Sequence, residues 1–82
     1  MFVVYILFSK KSDRYYIGYT NDLERRISEH NRRKGKYTDA GIPWKFVYSE
    51  TYYSKKEAMD RERQIKSMKS KAYIKSLVSF VG

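Results

Sequence analysis

The run from Phe2 to Phe8 constrains the fold of this chain more than any other segment. Every residue in it is apolar or aromatic, and none is charged. A strand with one exposed face alternates apolar and polar residues, whereas a strand covered on both faces is a continuous run rich in β-branched and aromatic residues. The run is also too short for a membrane span or a secretory signal. We therefore predict a central strand with structure packed on both of its faces.

A second aromatic run begins at Arg14, after a short polar turn, and predicts an antiparallel hairpin with the first. The register is left open, but a pairing of Leu7 with Arg14 would place Tyr5 and Tyr16 opposite each other on one face. Gly18 shares that face. Because glycine weakens a strand, its presence marks a point where backbone or ligand comes close.

Capping residues and apolar spacing place three helices in the rest of the chain. We expect a helix from Asn21 to about Arg33, then a loop over 34–44 and a strand over 45–50. A second helix should run from Ser54 to about Met68. A short third helix should follow Ser70, with Tyr73, Ile74, Leu77 and Val78 packed on the sheet. The prediction is an α+β fold in the order ββαβαα. A three-stranded antiparallel sheet is flanked by three helices in one domain over residues 1–82.

The charge balance favours a polyanionic partner. The 82 residues include 18 Lys and Arg against 9 Asp and Glu, a formal net charge of +9, which points first to nucleic acid. An anionic membrane surface is the weaker alternative, because it requires a basic amphipathic helix with a clean apolar face or a lipidation signal, and neither is present. The chain has no cysteine, which excludes disulfides and thiolate metal sites and is compatible with a cytoplasmic location.

Two cationic groups border the apolar stripe of the first predicted helix. At about 100° per residue, His30 falls in line with Leu23 and Ile27. Arg26 lies one step to the side of His30, whereas Arg25 points away. Either group alone is better explained structurally, as a histidine with a backbone partner or an arginine whose stem lies on the sheet. Because Tyr5 and Tyr16 of the predicted strands could lie beside both groups, the combination favours a functional cluster.

A carboxylate on the second predicted helix faces the apolar stripe rather than solvent. Glu62 projects between Ala58 and Met59, one turn before Ile65. A carboxylate in that position must be paired, protonated or bound to a metal. Because Lys and Arg are abundant, a salt bridge explains it as well as a metal site does on these residues alone.

Two stretches combine basic and aromatic residues as a nucleic-acid backbone track does: residues 25–36, with six basic residues, and residues 55–75, with eight. Each could also be a solvated face. Lys36, Tyr37 and Thr38 in the predicted loop are candidate substrate contacts, whereas Trp44 is better explained as a core anchor.

Taken in order, these residues resemble the GIY-YIG endonuclease family. The shared pattern consists of Val3-Val4-Tyr5, Tyr16-Ile17-Gly18, Arg26, His30 and Glu62, and it extends over about residues 2–78. Gly35-Lys-Tyr-Thr38 followed by Pro43-Trp44 is similar to short stand-alone bacterial members. The chain departs from the pattern in Val3-Val4, where the family name has Gly-Ile. It also has no Asn after Asn31, although some larger members use one late in the domain.

The resemblance implies the same sheet-and-helix fold and hydrolysis of DNA phosphodiester bonds with Mg²⁺ or Mn²⁺, in DNA repair or recombination. The implied roles are metal binding by Glu62, proton abstraction from water by Tyr5 or Tyr16, charge neutralisation by Arg26, a hydrogen bond from His30 to a tyrosine or the phosphate, and access for the substrate at Gly18.

Two other functions are compatible with this fold. One is a module that binds DNA or RNA without cutting it, and the other is a subunit that depends on a partner. A pure binding module needs basic and aromatic groups but no carboxylate on an apolar stripe, which favours the nuclease.

Overall fold

The central position of the apolar run is confirmed in the computed structural model, which describes residues 1–32 and 37–81. The elements are β1 (Phe2–Ser9), β2 (Arg14–Thr20), α1 (Leu23–His30), a short 3-10 helix (Tyr37–Gly41), β3 (Lys45–Tyr52), α2 (Lys55–Ser67) and α3 (Lys71–Val81). The strands form an antiparallel sheet in the order β2-β1-β3, so the α+β fold and its ββαβαα order are as predicted. Within the described residues, no helix has the length and apolar character needed to cross a membrane.

Both faces of β1 are covered, as a continuous apolar strand requires. The buried clusters are Val4, Ile6, Ile17, Ala58 and Ile65 on one face, and Tyr5, Leu7 and Trp44 on the other. Helices α2 and α3 cover the first face, and α1 covers the second. Trp44 is only 7% exposed, which confirms it as a core anchor.

The hairpin register differs from the one considered in the sequence. Leu7 pairs with Tyr16 rather than with Arg14, and Tyr5 pairs with Gly18. Because side chains alternate between faces, a shift of two residues leaves both tyrosines on one face, but as diagonal rather than direct neighbours.

A short turn over residues 10–13 sets this register. The last pair of the hairpin is Ser9 with Arg14, and the Ser9 hydroxyl accepts a hydrogen bond from the Ser12 N–H at 3.1 Å. Asp13 takes the left-handed conformation with φ of 53°, and its carboxylate accepts from Lys71 Nζ at 2.7 Å. These contacts close the hairpin within the four residues of the turn.

Helix α1 differs from its predicted bounds at both ends. Its cap is Asp22 rather than Asn21, because the Asp22 carboxylate accepts from the N–H three residues on, at 3.2 Å. The helix ends at His30 because Asn31 leaves it to bind the backbone of Trp44. Asn31 Nδ2 donates to the Trp44 carbonyl at 3.0 Å, and the Trp44 N–H donates to Asn31 Oδ1 at 2.6 Å.

The other helices begin at their predicted caps. Ser54 accepts from the Glu57 N–H, and Ser70 accepts from the Tyr73 N–H, both at 3.1 Å. Three of the four predicted α3 residues, Tyr73, Ile74 and Leu77, pack against the first cluster, and Val78 lies outside it. Strand β3 extends to Tyr52, two residues beyond its predicted end. The predicted loop contains the short 3-10 helix.

Candidate active site

Gly18 allows the Tyr5 phenol to lie across the edge strand β2. A Cβ atom at position 18 would lie 2.6 Å from Tyr5 Oη and 2.8 Å from Tyr5 Cζ, well inside ordinary contact. The Tyr16 ring lies alongside, with its centroid 6.3 Å from that of Tyr5. The close approach inferred for Gly18 is thus made by a side chain of the protein itself.

His30 of α1 holds the buried phenol of Tyr5. Tyr5 Oη lies 3.1 Å from His30 Nε2, and the imidazole packs on Tyr16 with a centroid distance of 4.3 Å. Burial, with smaller contributions from Tyr16 and Glu62, raises the pKa of Tyr5 to about 12 against the lowering effect of Arg26. Tyr5 therefore stays protonated at neutral pH, and its hydroxyl shares one hydrogen bond with His30 Nε2.

Arg26 lies one turn before His30 and reaches the same phenol. Its Nη1 donates to Glu29 Oε1 at 3.2 Å, while 43% of its side chain remains exposed. The hydrogen bond to Glu29, with a contribution from Tyr5, raises the pKa of the guanidinium. Because a guanidinium has five N–H donors, Arg26 can bind Glu29 and still offer donors to an anion.

Glu62 of α2 approaches the tyrosines from the other side of the edge strand. Its side chain is 20% exposed, and Oε1 lies 3.4 Å from Lys66 Nζ. The salt bridge considered in the sequence therefore exists. Lys66 is 51% exposed, however, and pairs of this i,i+4 kind contribute only about 0.3–0.5 kcal/mol. Such a weak pair leaves the carboxylate able to exchange Lys66 for another cation.

An open cleft of about 490 Å³ joins these side chains around the edge of the sheet. Four of the five residues predicted to be catalytic line it, namely Tyr5, Tyr16, Arg26 and Glu62, and His30 lies behind them through its bond to Tyr5. Tyr5 has no exposed surface and forms the floor, whereas Tyr16 is partly exposed. Gly18, predicted to contact the substrate, also lines the cleft.

The cleft contains two basic residues, Arg25 and Lys55, that were not among the predicted site residues. Arg25 lines it together with Thr20 and Asn21, so the expectation that Arg25 points away is wrong. The first turn of α1 borders the cleft. The long side chains of Arg25 and Arg26 both reach the cleft, although they leave the helix in different directions. Lys55, at the start of α2, also lines the cleft. In the sequence it was one of eight basic residues with no signal to distinguish it.

The remaining predicted substrate contacts, Lys36, Tyr37 and Thr38, come from the segment that follows α1. Lys36 lies outside the described residues. The backbone of Tyr37 and Thr38 begins the short 3-10 helix. Contact of these three residues with substrate stays a prediction.

The chemistry of the donor set limits how a metal could be held. Of the described residues that line the cleft, Glu62 is the only acidic one, and the described part of the chain contains no group of three or more acidic, His or Cys side chains suited to a metal. One carboxylate is sufficient for Mg²⁺ or Mn²⁺ that keeps most of its waters and takes phosphate oxygens as further ligands. The residues thus fit an ion that binds together with the substrate.

A second polar network, missed in the sequence, lies on the opposite face of the sheet. Glu50 accepts from Arg61 Nε at 2.8 Å and Nη2 at 3.0 Å, from Tyr52 at 2.5 Å, and from Tyr48. Burial opposes ionisation of Glu50, but these hydrogen bonds outweigh it and lower its pKa to about 2. Because the carboxylate is saturated by protein donors, this network is structural.

Comparison with known proteins shows the family and agrees with the fold. A profile described as the GIY-YIG catalytic domain matches residues 1–75. A UPF0213 protein of Streptococcus pneumoniae is 50% identical over 56 residues, which are 67% of this chain and 57% of that protein. This chain therefore spans less than two thirds of the length of that relative. A UPF0213 protein of Streptococcus agalactiae is 48% identical over 64 residues, 73% of each chain.

A solved structure shows the same likeness. The solution NMR structure of a UPF0213 protein from Bacillus halodurans aligns with a TM-score of 0.61 at 40% sequence identity. The alignment covers 98% of this chain and 85% of that one, so it includes every element that contributes to the cleft.

Proposed function

Because this chain belongs to the GIY-YIG catalytic domain family, a family of nuclease type, we propose that it is a metal-dependent endonuclease that hydrolyses DNA phosphodiester bonds. The observation that carries the proposal is the convergence, on one basic cleft, of two phenols, an imidazole, a guanidinium and a carboxylate from four different elements. Phosphoryl transfer by a protein requires this combination of charge stabilisation and proton transfer.

The two tyrosines have different roles in this proposal. Tyr5 has no exposed surface, and its pKa is raised to about 12, so it neither contacts water nor ionises near neutral pH. Tyr16 is partly exposed in the cleft, and it is the phenol that contacts the attacking water and takes its proton. Tyr5 and His30 pack against Tyr16 and hold its ring in position.

The charged groups surround the position of the scissile phosphate. Arg26 donates to the phosphoryl oxygens on which negative charge develops, using N–H groups that Glu29 leaves unused. Glu62 would hold a divalent ion, which would supply polarisation of the phosphoryl group and stabilisation of the leaving oxygen. Arg25 and Lys55 bind neighbouring phosphates of the strand.

The wider setting belongs to the same proposal. We place the activity in DNA repair or recombination on the basis of the family resemblance, and in the cytoplasm because a chain without cysteine suits a reducing compartment. The region over residues 1–82 would act as one catalytic domain.

Cleavage by the purified protein tests the proposal. Labelled duplex, branched, single-stranded and RNA substrates are incubated with Mg²⁺ or Mn²⁺, or with chelator. We expect metal-dependent cleavage of DNA that Glu62→Gln abolishes, with DNA affinity retained within a few-fold, because a metal ligand acts mainly in the transition state. Glu57→Gln, an exposed substitution on the same helix, is the control and should cleave normally.

One result would contradict the nuclease assignment, and another would contradict the role of Glu62. Tight DNA binding without cleavage in any metal would indicate a binding module. A Glu62→Gln protein that melts early but still cuts would show that Glu62 is a structural partner rather than a metal ligand.

A further inference from the structure

A second pocket shares the Tyr16 side chain with the catalytic cleft. It has a volume of about 440 Å³, and its walls include Arg14, Tyr15, Tyr16, Ala40 and Trp44. Because Tyr16 lines both cavities, the pocket is next to the cleft in which the proposed function places the scissile phosphate. The volume falls in the range of small-ligand pockets, about 300–1,000 Å³.

The floor of the pocket is rigid and aromatic. The backbone of Trp44 is held by two hydrogen bonds with the Asn31 side chain, one in each direction, and its ring lies edge-on to Tyr16, with centroids 6.2 Å apart. Gly41 makes room for the indole, since a Cβ at that position would lie 2.8 Å from Trp44 Cε2. A fixed floor of this kind recognises a flat group at little cost in side-chain entropy.

Arg14 differs from the basic residues of the catalytic cleft in its surroundings. It is exposed at the start of β2 and lines the pocket together with two tyrosines and the indole. A guanidinium stacks on aromatic faces as well as binding phosphate. An apolar aromatic lining with one such cation suits a nucleobase better than a phosphate, for which the catalytic cleft already supplies basic side chains.

We propose that this pocket binds one unstacked base of the substrate strand, next to the phosphate held in the catalytic cleft. The inference rests on the proposed function, since it assigns a substrate class to the same site. Removing a paired base from a duplex costs a few kcal/mol, and an unpaired base avoids most of that cost. The protein should therefore prefer DNA with an unpaired nucleotide at the cut over fully paired DNA.

Binding in chelator tests the pocket without cleavage. Affinity is measured by fluorescence anisotropy for two duplexes that differ only in one bulged nucleotide. We expect the wild-type protein to bind the bulged duplex roughly 5- to 100-fold more tightly, the range expected for stacking of one base. Ala40→Leu fills the pocket from an exposed position and should remove this difference while leaving affinity for the paired duplex unchanged. Ala72→Leu, on the exposed face of α3, is the control.

A second readout does not depend on the Ala40 variant. Trp44 is the only tryptophan of the chain, so the bulged duplex should quench its fluorescence more than the paired one, and Arg14→Gln should reduce the bulge preference. Equal affinity of the wild-type protein for both duplexes, with equal quenching, would overturn the pocket assignment alone. If neither duplex binds, the DNA function itself is wrong.

Discussion

Gly18→Ala should lower the cleavage rate by displacing a buried side chain, without altering the charge of the site. The added Cβ would lie 2.6 Å from Tyr5 Oη, about 0.8 Å short of ordinary contact at 3.4 Å. The Tyr5 ring cannot simply move away, because it is fully buried between Tyr16 and the imidazole of His30. Overpacking of this kind costs about 1–3 kcal/mol. Because Tyr5 holds the ring of Tyr16 in position, its displacement would shift that catalytic phenol, and a shift of about 1 Å can lower the rate about 100-fold.

Thermal unfolding and single-turnover cleavage together test this expectation. For a domain of this size, about 1 kcal/mol corresponds to a shift of roughly 4–8 °C in Tm. We expect Gly18→Ala to melt at a lower temperature and to cleave bound DNA about 100-fold more slowly, with affinity for DNA retained. Ser49→Ala changes the exposed partner of Tyr5 in β3 without adding volume and should have neither effect. Wild-type rate and Tm in Gly18→Ala would refute the proposed packing of Tyr5 over this strand.

Three further predictions concern the structural ion pair, the acid range and the basic surface. Arg61→Met should lower the free energy of unfolding by about 3–5 kcal/mol, because it strands the Glu50 carboxylate, and urea unfolding should show that Glu50→Gln in the same protein recovers much of the loss. The pKa of Glu50 is lowered from 4.5 to about 2, so its contribution to stability is present above about pH 4.5 and is lost as the pH falls toward 2. Urea titrations should show a loss on the order of 3 kcal/mol that is smaller in Glu50→Gln, and an equal loss in both proteins would exclude Glu50 as the cause. DNA affinity should fall steeply with added salt and show little sequence preference, and Arg25→Ala should make the salt dependence shallower; a shallow slope in the wild-type protein with strong preference for one sequence would contradict this.

The fold could be predicted from the sequence because burial of a strand or helix face requires apolar residues at regular positions. A strand covered on both faces loses its polar positions, as Phe2 to Phe8 did, and Ser54 and Ser70 carry local capping chemistry. Register and helix ends depend on contacts distant in the chain. The bond of Asn31 to the Trp44 backbone, which ends α1, joins residues that no local pattern connects.

The candidate site was predictable where its residues interrupt an apolar pattern. His30, Arg26 and Glu62 stood out because charged groups are costly on a buried stripe. Arg25 and Lys55 could not be identified in this way, since each lies on an exposed face and reaches the cleft through the length of its side chain. The Glu50 and Arg61 pair was missed because neither residue alone breaks its local pattern, and the two are brought together by packing of α2 on β3.

The most direct test of the proposed nuclease site is the cleavage rate of bound DNA in Arg26→Lys relative to Arg63→Lys. The first substitution keeps the charge in the cleft but loses the planar fork that binds phosphoryl oxygens. The second makes the same change on an exposed position of α2 that does not line the cleft. Under single-turnover conditions with saturating protein, we expect Arg26→Lys to be slower by about 100-fold or more, with DNA affinity nearly unchanged, and Arg63→Lys to cleave at the wild-type rate. Equal rates in the two variants would show that Arg26 is only part of the basic surface and would contradict the proposed catalytic cluster.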